Sequence, residues 1–347
     1  MNRTTLKELL TLAYPMVISQ GAFAVMIFTD RYFMSLVSPT HMGASLGGGV
    51  ASFFCMSLFI GVLSYGNALT AQYFGQAQLN KCSRVVTQGL LLTLFFAPLL
   101  VAIGYLSLGS FEFMGHAPEQ AALAQQYFII LIWGASFSLA KTVIASYFSG
   151  IGRTYIVMIA DTAGVVINIP LTWVLIFGYG DVPALGIAGA AYATVISTLI
   201  SLLIFCYFYL EPHHAARFRV NESFHLDRGI LRRFVRLGFP SGIEMFLNVA
   251  AFNLFLLMFQ SYGIAESASA AIVFNWDIVA YVPMIGLNVA IISLIGRYIG
   301  AGDTTLMNQV IRISFMLGLG YSGVLALSFY LGREPLVAIF LTTGGSR

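Results

Sequence analysis

Long apolar runs, broken by short clusters of Gly, Pro, Asn and charged side chains, recur along the whole chain. Nine of them, near residues 9–37, 43–72, 85–107, 121–148, 155–178, 186–210, 234–262, 267–294 and 308–331, are long enough as helices, at about 1.5 Å per residue, to cross a hydrocarbon core about 30 Å thick. They do not alternate polar and apolar positions as barrel strands do, so helices are the predicted elements. A shift of 225 positions lays the chain on itself without a gap: Pro15 falls on Pro240, Gly61 on Gly286, Tyr73 on Tyr298, Gly75 on Gly300, Val85 on Val310, Leu100 on Leu325, Tyr105 on Tyr330 and Leu106 on Leu331. A register kept past loops identifies a duplication. The first copy holds six spans, and an even number means that both copies enter the membrane facing the same way, as parallel repeats about an axis along the membrane normal. Nothing in the second copy answers to residues 121–224, so a full length of roughly 450 residues is expected for a finished duplication.

Composition narrows the class. Hydrophobic residues make up 59% of the chain and charged residues 9%, too few polar side chains to cover a soluble globule of this size. The predicted fold is an all-α polytopic membrane protein: a first lobe of six helices over residues 1–210, a linker over 211–233, and a partial second lobe of three helices over 234–347. The net charge of +3 says little, whereas its placement orients the bundle. Arg3, Lys7, Lys81, Arg84, Lys141, Arg153, the arginines from Arg217 to Arg236, Arg297 and Arg312 are assigned to alternate connections, and Glu112, Glu119, Asp181 and Glu266 to the others. The excess of positive charge puts the amino terminus and the linker in the cytoplasm of a cell with an inner (plasma) membrane, and nine spans put Arg333 and Arg347 on the far side. The first apolar run is too long for a signal peptide and has no small-residue cleavage site, so it is a retained span.

Little else in the chain suggests chemistry outside the spans. Cys55, Cys82 and Cys206 are scattered, and His213 and His214 beside Glu211 read as a solvated pair rather than a metal site. Asn221 opens a glycosylation triplet that would face the cytoplasm, a chance match. The basic linker is expected to fix topology and meet anionic headgroups. No resident metal, no cofactor and no nucleic-acid partner are expected, and the protein is expected to be a monomer in the lipid bilayer.

Acidic side chains inside apolar spans carry the information, because each costs several kcal/mol at depth unless paired, neutralised or facing water. Four stand out: Asp30, Asp161, Glu244 and Asp277. Asp30 neighbours Arg31, but adjacent helix positions point about 100° apart, so Arg31 can reach outward while Asp30 turns in. Asp161 lies eight residues past the basic Arg153, which makes it an interfacial carboxylate near a helix start, favoured by the helix dipole. Glu244, one turn past Pro240, and Asp277, beside Asn275 and Trp276, are deep enough that a cation or proton is the simplest reason for them.

These residues resemble a known family. Tyr14-Pro15 followed by Thr29-Asp30-Arg31-Tyr32-Phe33 is similar to the first helix of the multidrug and toxic compound extrusion (MATE) transporters. Further similar pieces follow in order: Ala71-Gln72-Tyr73-Phe74-Gly75, Ser149-Gly150-Ile151-Gly152-Arg153-Thr154, Asn168-Ile169-Pro170-Leu171, the Pro183 to Thr194 run, Leu237-Gly238-Phe239-Pro240, and Gly296-Arg297-Tyr298-Ile299-Gly300-Ala301-Gly302. The resemblance implies that Asp30 is the first-helix carboxylate of proton or sodium coupling, that Asn168 shares its pocket, that Thr172 stands where other members carry Asp or Asn, and that Thr194 is a nearby sixth-helix hydroxyl. In the second copy Asn248 stands where many members have a coupling glutamate, with Glu244 one turn earlier on nearly the same face; Asp277 matches no general motif and is assigned a polar lining.

The function this implies is antiport: H⁺ or Na⁺ arriving at Asp30 displaces an amphipathic, usually cationic organic compound from a cavity between two rocking lobes. Pro15 and Pro170 mark places where spans bend. Two alternatives stay open, an inactive or fragmentary remnant, in which three missing helices leave the cavity unclosed, and a flippase for lipid-linked precursors, which would favour more Arg and Lys in its spans. No enzyme is expected, since no His-Glu-x-x-His or paired-Asp arrangement is present.

Overall fold

The computed structural model describes residues 3–109, 111, 118–262 and 264–333. Among these residues the chain is helical with no strands. The helices are α1 (Arg3–Val37), α2 (Pro39–Ser64), α3 (Gly66–Gly75), α4 (Leu79–Ser107), α5 (Pro118–Gly150), α6 (Thr154–Phe177), α7 (Ile187–Leu210), a short α8 (Pro212–Phe218), α9 (Arg228–Tyr262), α10 (Ile264–Ala301) and α11 (Thr304–Leu331). Eight are long and apolar enough to cross a membrane, with α2 and α3 forming one span. α9 covers the seventh expected span but is not among the eight; Arg228, Arg232, Arg233 and Arg236 occupy its first turns. Most helices run several residues beyond the apolar runs, because a helix satisfies its own backbone groups past the edge of the hydrocarbon. Glu112 and Arg347 lie outside the described residues.

The offset of 225 is a relation between structures as well as sequences. Added to the limits of α1 it gives those of α9, and added to the starts of α2 and α4 it gives those of α10 and α11. One difference is local: α2 and α3 are separated at Tyr65, whose amide bonds to the Val62 carbonyl three residues back at 3.3 Å, whereas α10 is continuous.

Between the copies, α1 packs on α10 and α2 on α9, the exchange that a two-fold relation demands. Glycines make this approach close. A Cβ on Gly61 would lie 2.7 Å from the Gly242 Cα, and one on Gly286 would lie 2.6 Å from the Val17 amide, and shifting the first pair by 225 gives the second. At the end of the bundle that carries the arginines, Glu8 pairs with Arg297 at 3.1 Å and accepts from the Tyr298 hydroxyl at 2.7 Å. The same shift turns Glu8, Gln72 and Tyr73 into Arg233, Arg297 and Tyr298, and there Arg233 donates to the Gln72 amide oxygen at 2.5 Å and reaches the Tyr73 hydroxyl at 3.5 Å. The two seams share a plan and differ in charge.

α1 is divided between the two copies. Leu9, Leu12 and Ala13, before Pro15, form a core with Ala290, Leu294, Val310 and Ile313 of the second copy. Met16 and Met34, after it, belong to the main core, which the first copy builds with Ile230 and Phe234 of the second, while Val17 still faces Gly286. Pro15 supplies no backbone N–H at the join.

The linker is packed rather than loose. Ser83 donates to the Phe218 carbonyl at 2.8 Å, and Gln88 donates to the His225 carbonyl at 2.9 Å. Asp227 accepts from the Gly229 and Ile230 amides at the start of α9 and pairs with Arg84 at 3.3 Å; the Ile230 amide and then Arg84 hold its carboxyl below the usual range.

His214, expected to be solvated, is only 2% exposed. It stacks on Phe218 with ring centres 4.6 Å apart, and Arg153 Nη1 donates to its Nδ1 at 3.2 Å. Arginine cannot accept, so Nε2 carries the proton and donates to the Tyr147 hydroxyl at 2.8 Å. Burial, followed by Arg153 and Arg217, pushes the imidazole down from 6.5 to about 4. The neutral ring is therefore the folded form's, and its stabilisation is complete above about 6.5 and lost as the pH falls toward about 4. Melting temperature in detergent is expected to drop across that window by an amount reflecting on the order of 3 kcal/mol, and His214→Phe, which keeps the stack, should flatten the slope while lowering stability at neutral pH. An equal slope in both proteins would remove His214 as its source.

Candidate functional site

Asp30 faces inward from α1 and is 9% exposed despite its charge. Burying a carboxylate demands donors, and two helices supply them. Thr172 of α6 donates to Oδ1 at 3.2 Å, and Thr194 of α7 donates to Oδ2 at 3.4 Å, the longer of two contacts that this hydroxyl makes, the other being to the Ala190 carbonyl at 3.1 Å. No ion pair joins Asp30 to Arg31 among the described residues, in keeping with adjacent helix positions that point about 100° apart.

Asn168 sits one turn before Thr172 on the same stripe of α6 and is fully buried. Its amide nitrogen donates to Ser197 at 3.2 Å, one turn after Thr194, and its Oδ1 has no protein partner. Asp30, Asn168, Thr172 and Thr194 thus belong to one polar pocket built by three helices in a surrounding of apolar side chains. One neighbour was missed: Tyr127 of α5, 7% exposed, lies beside Thr194 and is close enough for the charges of Asp30 and Arg31 to act on it. The available signal was a lone phenol after Gln125 and Gln126 in an apolar run, which needs a buried partner.

The second-copy candidates do not converge in this way. Glu244 and Asn248 are exposed on α9, and Asp277 is exposed on α10. Glu244 lines a cavity of about 380 Å³ between the copies with Ser64, Tyr65, Ala68, Pro240, Ser241 and Ile292. The repeat explains the asymmetry: the position equivalent to Asp30 is Phe255, so the second copy has no matching buried acid.

Asp161 departs from its expected setting. It is not a simple interfacial carboxylate: Lys141, assigned above to a connection, lies well inside α5 and pairs with Asp161 Oδ1 at 3.0 Å, while Ser19 of α1 donates to Oδ2 at 2.5 Å.

Comparison with known proteins fits this architecture. The MatE family model matches residues 15–174 and 240–345. The probable multidrug resistance protein YoeA of Bacillus subtilis is 28% identical over 339 residues, covering 93% of this chain and 73% of the relative. The multidrug resistance protein PmpM of Pseudomonas aeruginosa is 27% identical over 343 residues, covering 97% of this chain and 71% of the relative. Among solved structures, the outward-facing conformation of a multidrug resistance MATE family transporter of the MOP superfamily superposes with a TM-score of 0.86 at 21% identity, covering 98% of this chain and 75% of that one. A MOP superfamily transporter from Pyrococcus furiosus gives 0.87 at 21% identity, over 97% and 74%. The chain spans about three-quarters of the length of these proteins. Family match, multi-span helical fold and duplicated architecture agree, and the chain belongs to the MatE family of membrane transporters.

Proposed function

We propose that this protein is a cation-coupled antiporter, driven by H⁺ or Na⁺, that exports amphipathic, mostly cationic organic compounds by rocking of a first lobe (1–210) against a second (234–347) about the linker 211–233. The observation that carries the reading is Asp30: a buried carboxylate with two hydroxyl donors, next to the unpartnered Oδ1 of Asn168, is a place where a proton or small cation gains and substrate attraction is lost. Glu244, at the cavity between the copies, adds an acid that attracts a cationic substrate. The arginine-rich end is cytoplasmic in this reading, by the positive-inside rule. The names of the relatives, multidrug resistance proteins, support the substrate class.

The test uses inside-out membrane vesicles containing the full chain, loaded by an imposed pH or sodium gradient. A fluorescent organic cation is expected to accumulate with one gradient and to stay at equilibrium without it. Equal accumulation with and without either gradient would overturn the proposal.

A further inference from the structure

We propose that Asp161, held by Lys141, is a positioning residue that fixes α1 against α6 and so sets where Asp30 stands in its pocket; this rests on the coupling role proposed for Asp30. The clasp uses both carboxylate oxygens: Oδ1 takes Lys141 of α5 at 3.0 Å and Oδ2 takes Ser19 of α1 at 2.5 Å. Ser19 is 1% exposed, and the ion pair's side chains are 16% and 26% exposed for Asp161 and Lys141. A pair this sheltered is screened much less than one in water, and losing one partner leaves the other charge poorly solvated.

The register ties the clasp to the pocket. Ser19 and Asp161 are 142 positions apart, and so are Asp30 and Thr172. The two helices therefore run parallel and in step between these points, a length of about 16 Å and three turns, so that Ser19 and Asp30 share one face of α1 while Asp161 and Thr172 share one face of α6. A bond at each end prevents both sliding and rotation of α1 on α6, either of which would carry Asp30 away from its donors.

The side-chain bonds that act against the clasp are on the other side of Pro15. There α1 is bound to the second copy through Glu8 with Arg297 and Tyr298, and through Thr5, which donates to Gln309 at 3.4 Å. Movement between the copies pulls on this first segment. After Pro15, Met16 takes only a long bond from Ser149 to its sulfur at 3.8 Å, and Ser19, one turn past the proline, makes the first strong side-chain bond to the first copy, so the clasp is where that pull is resisted before it reaches Asp30.

Coupled export is measured in vesicles for Ser19→Ala, Asp161→Asn, Lys141→Met and the neutral pair Asp161→Asn/Lys141→Met, with Asp30→Asn as reference. Ser19→Ala removes one hydroxyl and leaves the ion pair, which protects the test against misfolding. For Ser19→Ala and for the neutral pair the concentration of driving ion at half-maximal rate is expected to rise about ten-fold, while the half-saturating substrate concentration stays within about two-fold. Asp161→Glu, which keeps the charge, should recover most of the loss relative to Asp161→Asn. Unchanged ion dependence in Ser19→Ala and the neutral pair, with Asp30→Asn inactive, overturns the role of Asp161 alone; parallel losses for ion and substrate also overturn it, as general destabilisation. Coupling retained in Asp30→Asn instead overturns the function proposed for Asp30.

Discussion

Asp30→Asn is expected to leave the protein inserted and folded and to reduce gradient-driven export roughly 100-fold or more, to the level of leak. The packing argument comes first. An amide has nearly the shape of a carboxylate, and its oxygen still accepts from Thr172; Thr194 keeps its bond to the Ala190 carbonyl whatever stands at position 30. The pocket therefore survives while its charge does not. Coupling depends on that charge, because an ion shifts a conformational equilibrium only by the difference in its affinity for the two states. Moving a population from about 1:99 to 99:1 takes about 5.5 kcal/mol of such difference, and a neutral amide offers neither a titrating proton nor a full charge for sodium. Export of a fluorescent cation under an imposed gradient, with the amount of inserted protein measured beside it, checks the expectation. Export at the parent's rate would show that the buried acid is structural.

How much of this was readable beforehand depends on the range of the interaction. Helix positions were legible because each span is built around one apolar run, and the offset of 225 reproduces the limits of α9 and the starts of α10 and α11 from those of the first copy. The pocket was legible only through resemblance: Asp30, Asn168, Thr172 and Thr194 sit on three helices, and no spacing in the sequence says that they meet. The clasp was hidden for the same reason. The distance of Asp161 from Arg153 points to an interface and the place of Lys141 points to a connection, although a lone acid and a lone base within apolar runs each cost so much that their pairing is the cheaper arrangement. His214 misled by its charged neighbours, since a polar sequence context does not show that Tyr147, Phe148 and Phe218 close over the ring.

The seam between the copies supplies the other large effect, and here the duplication makes a double prediction. A Cβ on Gly75 would fall on the Arg297 carbonyl oxygen, and a Cβ on Gly300 on the Gln72 carbonyl oxygen; the two contacts are related by the shift of 225. Both obstacles are backbone in helices, which cannot swing aside as a side-chain tip can. Gly75→Val and Gly300→Val should each force the copies apart at the arginine-rich end, next to the Glu8, Arg297, Tyr298 cluster and its Arg233, Gln72, Tyr73 counterpart. Overpacking of this kind typically costs about 1–3 kcal/mol, which moves a two-state equilibrium by roughly five- to 150-fold toward the form open at that end. Ser293→Cys is a near-isosteric reporter, fully buried beside the seam where its hydroxyl donates to the Ser149 carbonyl at 2.6 Å. In a background without other cysteines, its labelling by a water-soluble maleimide should rise about ten-fold with either valine, and export should fall with it. Gly47→Val is the control, since nothing lies within 4 Å of a Cβ added there. Should Gly75→Val and Gly300→Val label like the control, the glycines do not hold the seam closed. Should only one of them open it, the copies share their helix plan without sharing the work of closure.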